Sequence, residues 1–239
     1  MLWRARELLG HAIGGTDGAL GWIHDVYFDD QHWMVRYLAA ETGHWLGGRR
    51  VLLSPMSVRR IDRVHRWAEV ALTRQQVRDS PNVDTHKPVE RQHEVALLEY
   101  YGVPSYWADH RPSGEAAAGA GPDDRHLHSA RVVIGYAVDA VDGEVGYVED
   151  FVVDDLTWTI RYLVLDSRHW WPGRRALLAP EWVGWVSWRE FNVHVDFDRD
   201  TIHRAPEFDP ARPIDRAYEA RLHGHYGRPP HSSPGNRAA

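Results

Sequence analysis

Apolar and polar residues alternate along two long stretches of the chain, and these two stretches repeat each other. The first covers residues 10–55 and the second residues 135–180, and 20 of their 46 aligned positions are identical at a constant offset of 125 residues. Pairs further along, such as Tyr101 and Tyr226, keep the same register. A pattern that recurs at a fixed offset predicts a tandem duplication.

Within each copy, alternation with a period of two predicts β-strands. Residues 20–28 are rich in aromatic and β-branched side chains, and residues 33–40 alternate between two sets of side chains. Further short strands are expected in the first copy at residues 51–53, 57–62 and 67–72, and the second copy matches each of them. Together with the β-pattern that begins at Gly10, these make six short strands joined by tight turns, which predict a small closed barrel or roll. Arg36 and Arg161 occupy the same strand position, and we expect them to face water.

After the strands, the period changes to that of a helix. A short helix is predicted from Thr73, which serves as its N-cap, and it ends before Pro81. A longer amphipathic helix is predicted to begin at Pro88 and to end at Gly102, and its second-copy equivalent begins at Pro213. The predicted fold is therefore mainly β with helical extensions: two tandem small barrels, each followed by a short and a longer helix.

These patterns divide the chain into four parts. Residues 1–110 are expected to form the first barrel with its helices, and residues 129–230 the second. Between them, residues 111–128 are rich in Gly, Ala and Pro and predict a flexible linker. Residues 231–239 predict a disordered tail. Since two similar units in one chain can imitate a homodimer, we expect the two barrels to pair around a pseudo-twofold axis.

Two motifs, each present in both copies, resemble a known family. The strand Trp-x-Val-Arg-Tyr-Leu begins at Trp33, and the segment Trp-x-x-Gly-Arg-Arg-x-Leu-Leu-x-Pro begins at Trp45. With the glycine-led first strand, they make residues 8–72 and 130–197 similar to the PRC-barrel family. That small barrel is shared by the cytoplasmic part of the photosynthetic reaction-centre H subunit and the C-terminal half of a ribosome-maturation factor.

The resemblance implies a fold more than a specific activity. It implies a non-enzymatic scaffold or protein–protein interaction module of the bacterial cytoplasm, peripheral to a membrane complex as the H subunit is. The alternative that the resemblance implies is an RNA-processing or ribosome-associated factor. An uncharacterised metal-dependent enzyme is a second alternative. The sequence names no protein partner.

Composition narrows these possibilities. The net charge is −6, so the chain has no overall attraction to nucleic acid, and nucleic-acid binding is not expected. Four residues nevertheless form a local basic stretch, namely Arg59, Arg60, Arg63 and Arg66. The absence of cysteine rules out disulfides and suits a reducing cytoplasm. No apolar run is long enough to predict a transmembrane segment.

The sequence gives little support for catalysis or a cofactor. Neither a Gly-x-Ser-x-Gly motif nor a glycine-rich phosphate loop is present, so we expect no enzyme and no cofactor. Among 16 histidines, only His44 and His169 match in the repeat register, which argues against a duplicated metal site. Asp25 and Asp150 lie within predicted strands, where an internal hydrogen bond is a simpler role than acid–base catalysis.

One loop in each copy combines tryptophan, histidine and arginine. Its candidate interaction residues are His44, Trp45, Arg49 and Arg50 in the first copy, and His169, Trp170, Arg174 and Arg175 in the second. One interpretation is structural, with Trp capping the barrel and Arg and His forming surface hydrogen bonds. The other is a recognition surface, because exposed Trp and Arg are frequent anchors of interfaces. The burial of the tryptophan rings distinguishes the two interpretations.

The second copy also carries three tryptophans that the first copy lacks. Trp182, Trp185 and Trp188 stand where the first copy has Ser57, Arg60 and Arg63. This difference predicts a hydrophobic surface on the second barrel, used against the first barrel or against a partner.

Overall fold

The structure, a computed structural model, describes residues 1–81, 91–102, 127–167 and 174–229. The chain forms two compact units. Unit 1 contains Met1, Trp3–Val133 and Val153–Ile160, and unit 2 contains Leu2, Ile134–Val152 and Arg161–Ala239. Since unit 1 includes residues of the second copy, sequence copies and compact units do not coincide. The domain limits expected from the sequence, 1–110 and 129–230, stay a prediction.

One seven-stranded sheet has the strand order β5-β4-β3-β2-β7-β6, with β8 paired to β3. Its strands are β2 (Ala12–Gly15), β3 (Gly18–Asp29), β4 (Met34–Glu41), β5 (Arg50–Leu53), β6 (Val58–Asp62), β7 (Trp67–Val70) and β8 (Leu127–Ser129). All neighbouring strands are antiparallel except β2 and β7, which are parallel. Alternate residues such as Ile23, Leu38 and Leu53 point inward and are fully buried, which gives unit 1 its apolar core.

The other seven-stranded sheet repeats this topology, with the order β12-β11-β10-β9-β14-β13 and with β1 paired to β10. Its strands are β1 (Leu2–Arg4), β9 (Ala137–Ala140), β10 (Gly143–Asp154), β11 (Ile160–Asp166), β12 (Arg175–Leu178), β13 (Val183–Ser187) and β14 (Asn192–Val195). Here too the parallel pair, β14 with β9, corresponds to β7 with β2. The predicted fold class is confirmed.

A glycine at the same position in both copies is required where the long strand passes close to neighbouring backbone. Gly21 in β3 and Gly146 in β10 have φ angles of +141° and +146°. A Cβ at Gly21 would lie 1.9 Å from the carbonyl oxygen of Glu41, and one at Gly146 would lie 2.2 Å from that of Asp166. Because backbone occupies that space, only glycine fits.

Six α-helices accompany the sheets in the ranges that the structure describes: α1 (Ala5–Leu8), α2 (Arg74–Asp79), α3 (Arg91–Tyr101), α4 (Ala130–Val133), α5 (Arg199–His203) and α6 (Arg216–His225). The predicted N-cap of α2 is confirmed, since Thr73 Oγ1 accepts a hydrogen bond from the Gln76 amide at 3.1 Å. Helix α6 begins after Pro213, because Asp215 caps it through the Tyr218 amide at 2.7 Å. The start predicted at Pro88 lies outside the described residues.

The segment before the second copy contributes to unit 1. Strand β8 pairs Tyr27 with Ser129, and Leu127 is buried in a cluster with Tyr27, Tyr37 and Leu97. Leu127 and His128 therefore belong to a paired strand, although the sequence predicted a linker through residue 128. The rest of that linker, 111–126, and the predicted tail lie outside the described residues.

The strand arginines do not face water as the alternation predicted. Arg36 has a side chain only 10% exposed, and its Nε donates to the buried carboxylate of Asp29 at 2.5 Å. In unit 2, Arg161 lies 3.4 Å from Glu219 on α6. Each arginine offsets the cost of burying its charge by pairing with a carboxylate.

Candidate interaction surface

The loop between β4 and β5 holds the first four candidates, and its tryptophan is partly inserted. Trp45 is half-buried, and its Nε1–H donates to the Leu20 carbonyl at 2.9 Å. The Arg74 guanidinium lies 5.4 Å from the centre of the Trp45 ring, and His44 is exposed. The Trp45 ring is thus anchored to unit 1 without being fully buried, so both interpretations of this loop stay predictions.

The arginine that follows this loop binds the end of a helix. Arg49 donates through Nη1 to the Arg78 carbonyl at 2.9 Å and through Nη2 to the Ser80 and Pro81 carbonyls at 2.7 and 3.1 Å. These carbonyls follow α2, where backbone acceptors lack helical partners. In unit 2, Arg174 Nη2 donates to Ala205 at 3.1 Å, the position equivalent to Ser80. Both arginines therefore hold the fold together.

The neighbouring arginines form ion pairs. Arg50 lies 3.9 Å from Glu41, and Arg175 donates through Nη2 to Glu149 at 2.8 Å. His169 and Trp170 lie outside the described residues. Most described members of this loop thus have partners within their own unit.

Trp182 belongs to the core and not to a surface. It is 3% exposed and packs against the rings of Tyr226, His223 and Phe197 at centroid distances of 4.7, 5.0 and 6.3 Å. The expectation that all three tryptophans of the second copy share one surface is wrong for Trp182, because α6 covers that side of the barrel.

Trp185, three residues later, is 55% exposed on β13. One face of its ring stacks on His194 of β14, with centroids 3.6 Å apart and planes 13° apart. The His194 Nδ1 lies 3.7 Å from Asp139, and the Asn192 side-chain amide donates to the same carboxylate at 2.8 Å. A fixed polar layer thus supports Trp185 and leaves its ring accessible.

The turn between β13 and β14 adds two further aromatic residues. Trp188 is half-buried, and Phe191 is 57% exposed. Both contact the ring of Tyr136, at centroid distances of 6.2 and 5.4 Å. We call Trp185, Trp188 and Phe191, with strands β13 and β14, the aromatic hairpin. Phe191 is absent from the candidates chosen from the sequence, although the 125-residue register aligns it with Arg66.

The corresponding hairpin of unit 1 has a similar turn conformation, but it carries arginines where the aromatic hairpin carries aromatic side chains. Phe191 and Arg66 have φ angles of +61° and +51°, so both turns use the same left-handed residue. Three hairpin arginines have partners within unit 1: Arg60 lies 3.8 Å from Asp62, Arg63 lies 4.2 Å from the Trp3 ring, and Arg66 donates to the Leu9 carbonyl at 2.9 Å. These contacts hold much of the predicted basic stretch within its own unit.

A comparison with protein-family models identifies the domain in unit 1. Residues 4–77 match the PRC-barrel domain. Residues 4–77 are a PRC-barrel domain. The match covers the six strands from β2 to β7 together with most of α2. A search of curated proteins found no match.

A buried acid supports the PRC-barrel domain from inside. Asp25 is 6% exposed, and it accepts hydrogen bonds from Ser129 Oγ at 2.5 Å and from the amides of Val26 and Arg131 at 2.7 and 3.3 Å. Burial raises the pKa of Asp25, although these hydrogen bonds and the Arg131 charge oppose the change. The geometry supports the internal hydrogen-bonding role, since Asp25 fixes the start of α4.

Outside the PRC-barrel domain, unit 2 contains a cleft of about 530 Å³ beside α6. Its charged lining residues are Arg175, Arg212, Arg221, Glu207, Asp209 and Asp215. The two signs are balanced, and Asp215 is engaged as the N-cap of α6. Burial raises the pKa of Tyr218, whose hydroxyl donates to the Pro206 carbonyl at 3.0 Å. Tyr218 therefore acts as a structural donor at neutral pH.

The described part of the chain contains neither a cluster of metal-binding side chains nor a helix that could span a membrane. No group of three or more His, Asp or Glu side chains there is placed to hold a metal ion. None of the helices in those same ranges is long and apolar enough to cross a bilayer.

Proposed function

We propose that this chain is a non-enzymatic interaction or scaffold protein that binds a protein partner through the aromatic hairpin. The observation that carries the proposal is the exposure of Trp185 and Phe191, at 55% and 57%, on a hairpin whose counterpart in unit 1 bears arginines. Large aromatic side chains dominate the binding energy of protein interfaces. Exposing them to water without a partner gains nothing for the fold.

The rigidity of the hairpin supports the same proposal. Trp185 rests on His194, and Phe191 and Trp188 rest on Tyr136, so the aromatic rings are held before a partner arrives. A surface organised in advance loses less conformational entropy on binding. PRC-barrel domains act as general protein-interaction modules, and the resemblance to the reaction-centre H subunit supports a cytoplasmic site of action at the periphery of a membrane complex. The pseudo-twofold pairing of the barrels stays a prediction.

Affinity purification from the source organism tests the proposal. Tagged wild-type protein is compared with the variants Trp185→Arg and Phe191→Arg, which restore the residue type of the first copy. Val64→Arg is the matched control, because Val64 is 86% exposed in the equivalent turn of unit 1. We expect quantitative mass spectrometry to show one set of proteins that both aromatic variants lose and the control retains.

Fractionation of the same cells locates that partner set. Enrichment with membranes supports a role at a membrane complex, and a soluble partner supports an adaptor. If the wild type and both aromatic variants all sediment with ribosomes, the ribosome-associated alternative is favoured. An identical partner set for wild type and both aromatic variants contradicts the proposed interaction surface.

A further inference from the structure

Strand β13 ends its sheet. Within the described ranges it pairs with β14 alone, so the opposite side of its backbone has amide and carbonyl groups without strand partners. Such an edge can accept another extended chain, and proteins usually protect it with charged side chains. The equivalent strand of unit 1, β6, has that protection, because three of its five residues are Arg59, Arg60 and Asp62.

Strand β13 lacks this protection. Its sequence, Val-Gly-Trp-Val-Ser, contains no charged residue. Gly184 replaces Arg59 and removes the side chain beside Trp185. A Cβ at Gly184 would lie 3.0 Å from Asp196 Oδ1, so the missing side chain also leaves this carboxylate uncovered. The same substitution thus opens the backbone edge and exposes an acidic group next to it.

The charges around this edge select a basic partner. Asp196 is exposed, and acidic residues outnumber basic ones among the described residues of unit 2. The free face of Trp185 suits a guanidinium group, because arginine stacks on aromatic rings through cation–π and planar contacts. An arginine in an extended segment would therefore meet a ring on one side and a carboxylate nearby.

We propose that β13 accepts an extended, basic segment of a partner protein by strand addition, with an arginine of that segment stacked on Trp185. This inference rests on the proposed function, and it specifies the chemistry of the partner. Backbone hydrogen bonds to the edge supply affinity, and alternate side chains of the added strand supply selectivity. The acids of unit 2 increase the rate of encounter with a basic segment, and salt weakens this effect.

Fluorescence anisotropy with designed peptides tests the inference on the full chain. The probe is a fluorescein-labelled peptide of alternating Thr and Arg, which favours extended backbone. One matched peptide replaces Arg with Glu, and another carries N-methyl groups at alternate amides, which remove its strand hydrogen bonds. We expect the Thr–Arg peptide to bind, and each matched peptide to bind at least about tenfold more weakly.

Variants of the protein complete the test. We expect Trp185→Arg and Gly184→Arg, which restore the first-copy residues, to weaken binding of the Thr–Arg peptide by at least about tenfold, and Val64→Arg to leave it unchanged. Circular dichroism melting checks that each variant is folded. Strand addition would be overturned if no peptide bound, or if the Arg and Glu peptides bound with equal affinity. It would also be overturned if the N-methylated peptide bound as tightly as the Thr–Arg peptide, or if the Trp185→Arg and Gly184→Arg variants bound that peptide as the wild type does. These outcomes do not refute the proposed function. That proposal is refuted only if both aromatic variants keep the cellular partners of the wild type.

Discussion

Trp182 lies in the turn before β13, and Trp185 lies in β13 itself. Replacing each with the first-copy residue should have very different effects on the free energy of unfolding. Trp182→Ser, which introduces the residue of the first copy, removes a ring that is 3% exposed and lies within 4.7–6.3 Å of three other rings. Truncation of a buried tryptophan costs about 3–5 kcal/mol, which includes the loss of aromatic pairs worth about 0.5–1.5 kcal/mol each. Trp185→Arg changes an exposed ring with a single stacking partner, so we expect a cost within about 1 kcal/mol.

Urea unfolding followed by circular dichroism measures both effects. With an m-value of about 2 kcal/mol/M, the Trp182→Ser change lowers the midpoint of the transition that includes unit 2 by about 1.5–2.5 M, and Trp185→Arg shifts it by less than about 0.5 M. Similar shifts for the two variants, or a larger shift for Trp185→Arg, would refute the assignment of one ring to the core and the other to a binding surface. Only the second variant is suited to binding experiments.

Three further predictions concern residues that hold unit 1 together. Gly21→Ala places a Cβ against the Glu41 carbonyl and should cost about 2–5 kcal/mol in urea unfolding, whereas Gly47→Ala, at φ +65° with open space around it, should cost about 1–2 kcal/mol. Arg49→Gln loses the donors at the end of α2 and should cost about 1–2 kcal/mol, and recovery by lysine would contradict the need for a forked donor. Burial, and after it the charge of Arg66, lowers the pKa of His11. The folded state therefore favours the neutral imidazole. The stability that His11 contributes is present above pH 6.5 and is lost as the pH falls below that value. His11→Tyr, the second-copy residue, should therefore reduce the loss of melting temperature between pH 7 and pH 5, and an unchanged pH profile would contradict this role.

The repeat register predicted the parts of the fold that local geometry demands. Gly21 and Gly146 are identical in the alignment because backbone lies where their side chains would be. The N-cap at Thr73 was predictable, since the hydrogen bond that it makes spans only three residues. Such features depend on neighbouring residues or on steric exclusion, and both leave a direct trace in sequence.

Features that depend on distant contacts were not predictable in this way. Trp182 and Trp185 look alike in sequence, and their different burial is set by Tyr226 and His223, which lie about forty residues away on or beside α6. Phe191 is absent from the predicted surface because that prediction rests only on tryptophans that the first copy lacks, although the same register places Phe191 at the position of Arg66.

The end predicted for the linker, at residue 128, differs from the structure for a related reason. Leu127 is one apolar residue beside a stretch rich in Gly, Ala and Pro, and nothing local marks it as part of a core. Its burial depends on pairing with β3, about a hundred residues earlier in the chain. Composition describes what a segment does when it has no partner, and a long-range partner overrides it.

The two copies differ where the fold does not dictate the residue, and this argues that the difference serves recognition. Positions that hold the backbone keep their residue type, as the pair Arg49 and Arg174 does at the end of a helix. The hairpin position of Arg60 and Trp185 changes from a charged to an aromatic residue on the same strand, and both side chains are exposed. If the aromatic hairpin served stability alone, its rings would be covered as Trp182 is. The rings pack on His194 and Tyr136 on one side and are open to solvent on the other. Transplanting residues 183–192 into the equivalent positions 58–67 should therefore transfer partner binding to unit 1. Failure of that transfer in a folded chimera would show that unit 2 supplies more than the hairpin.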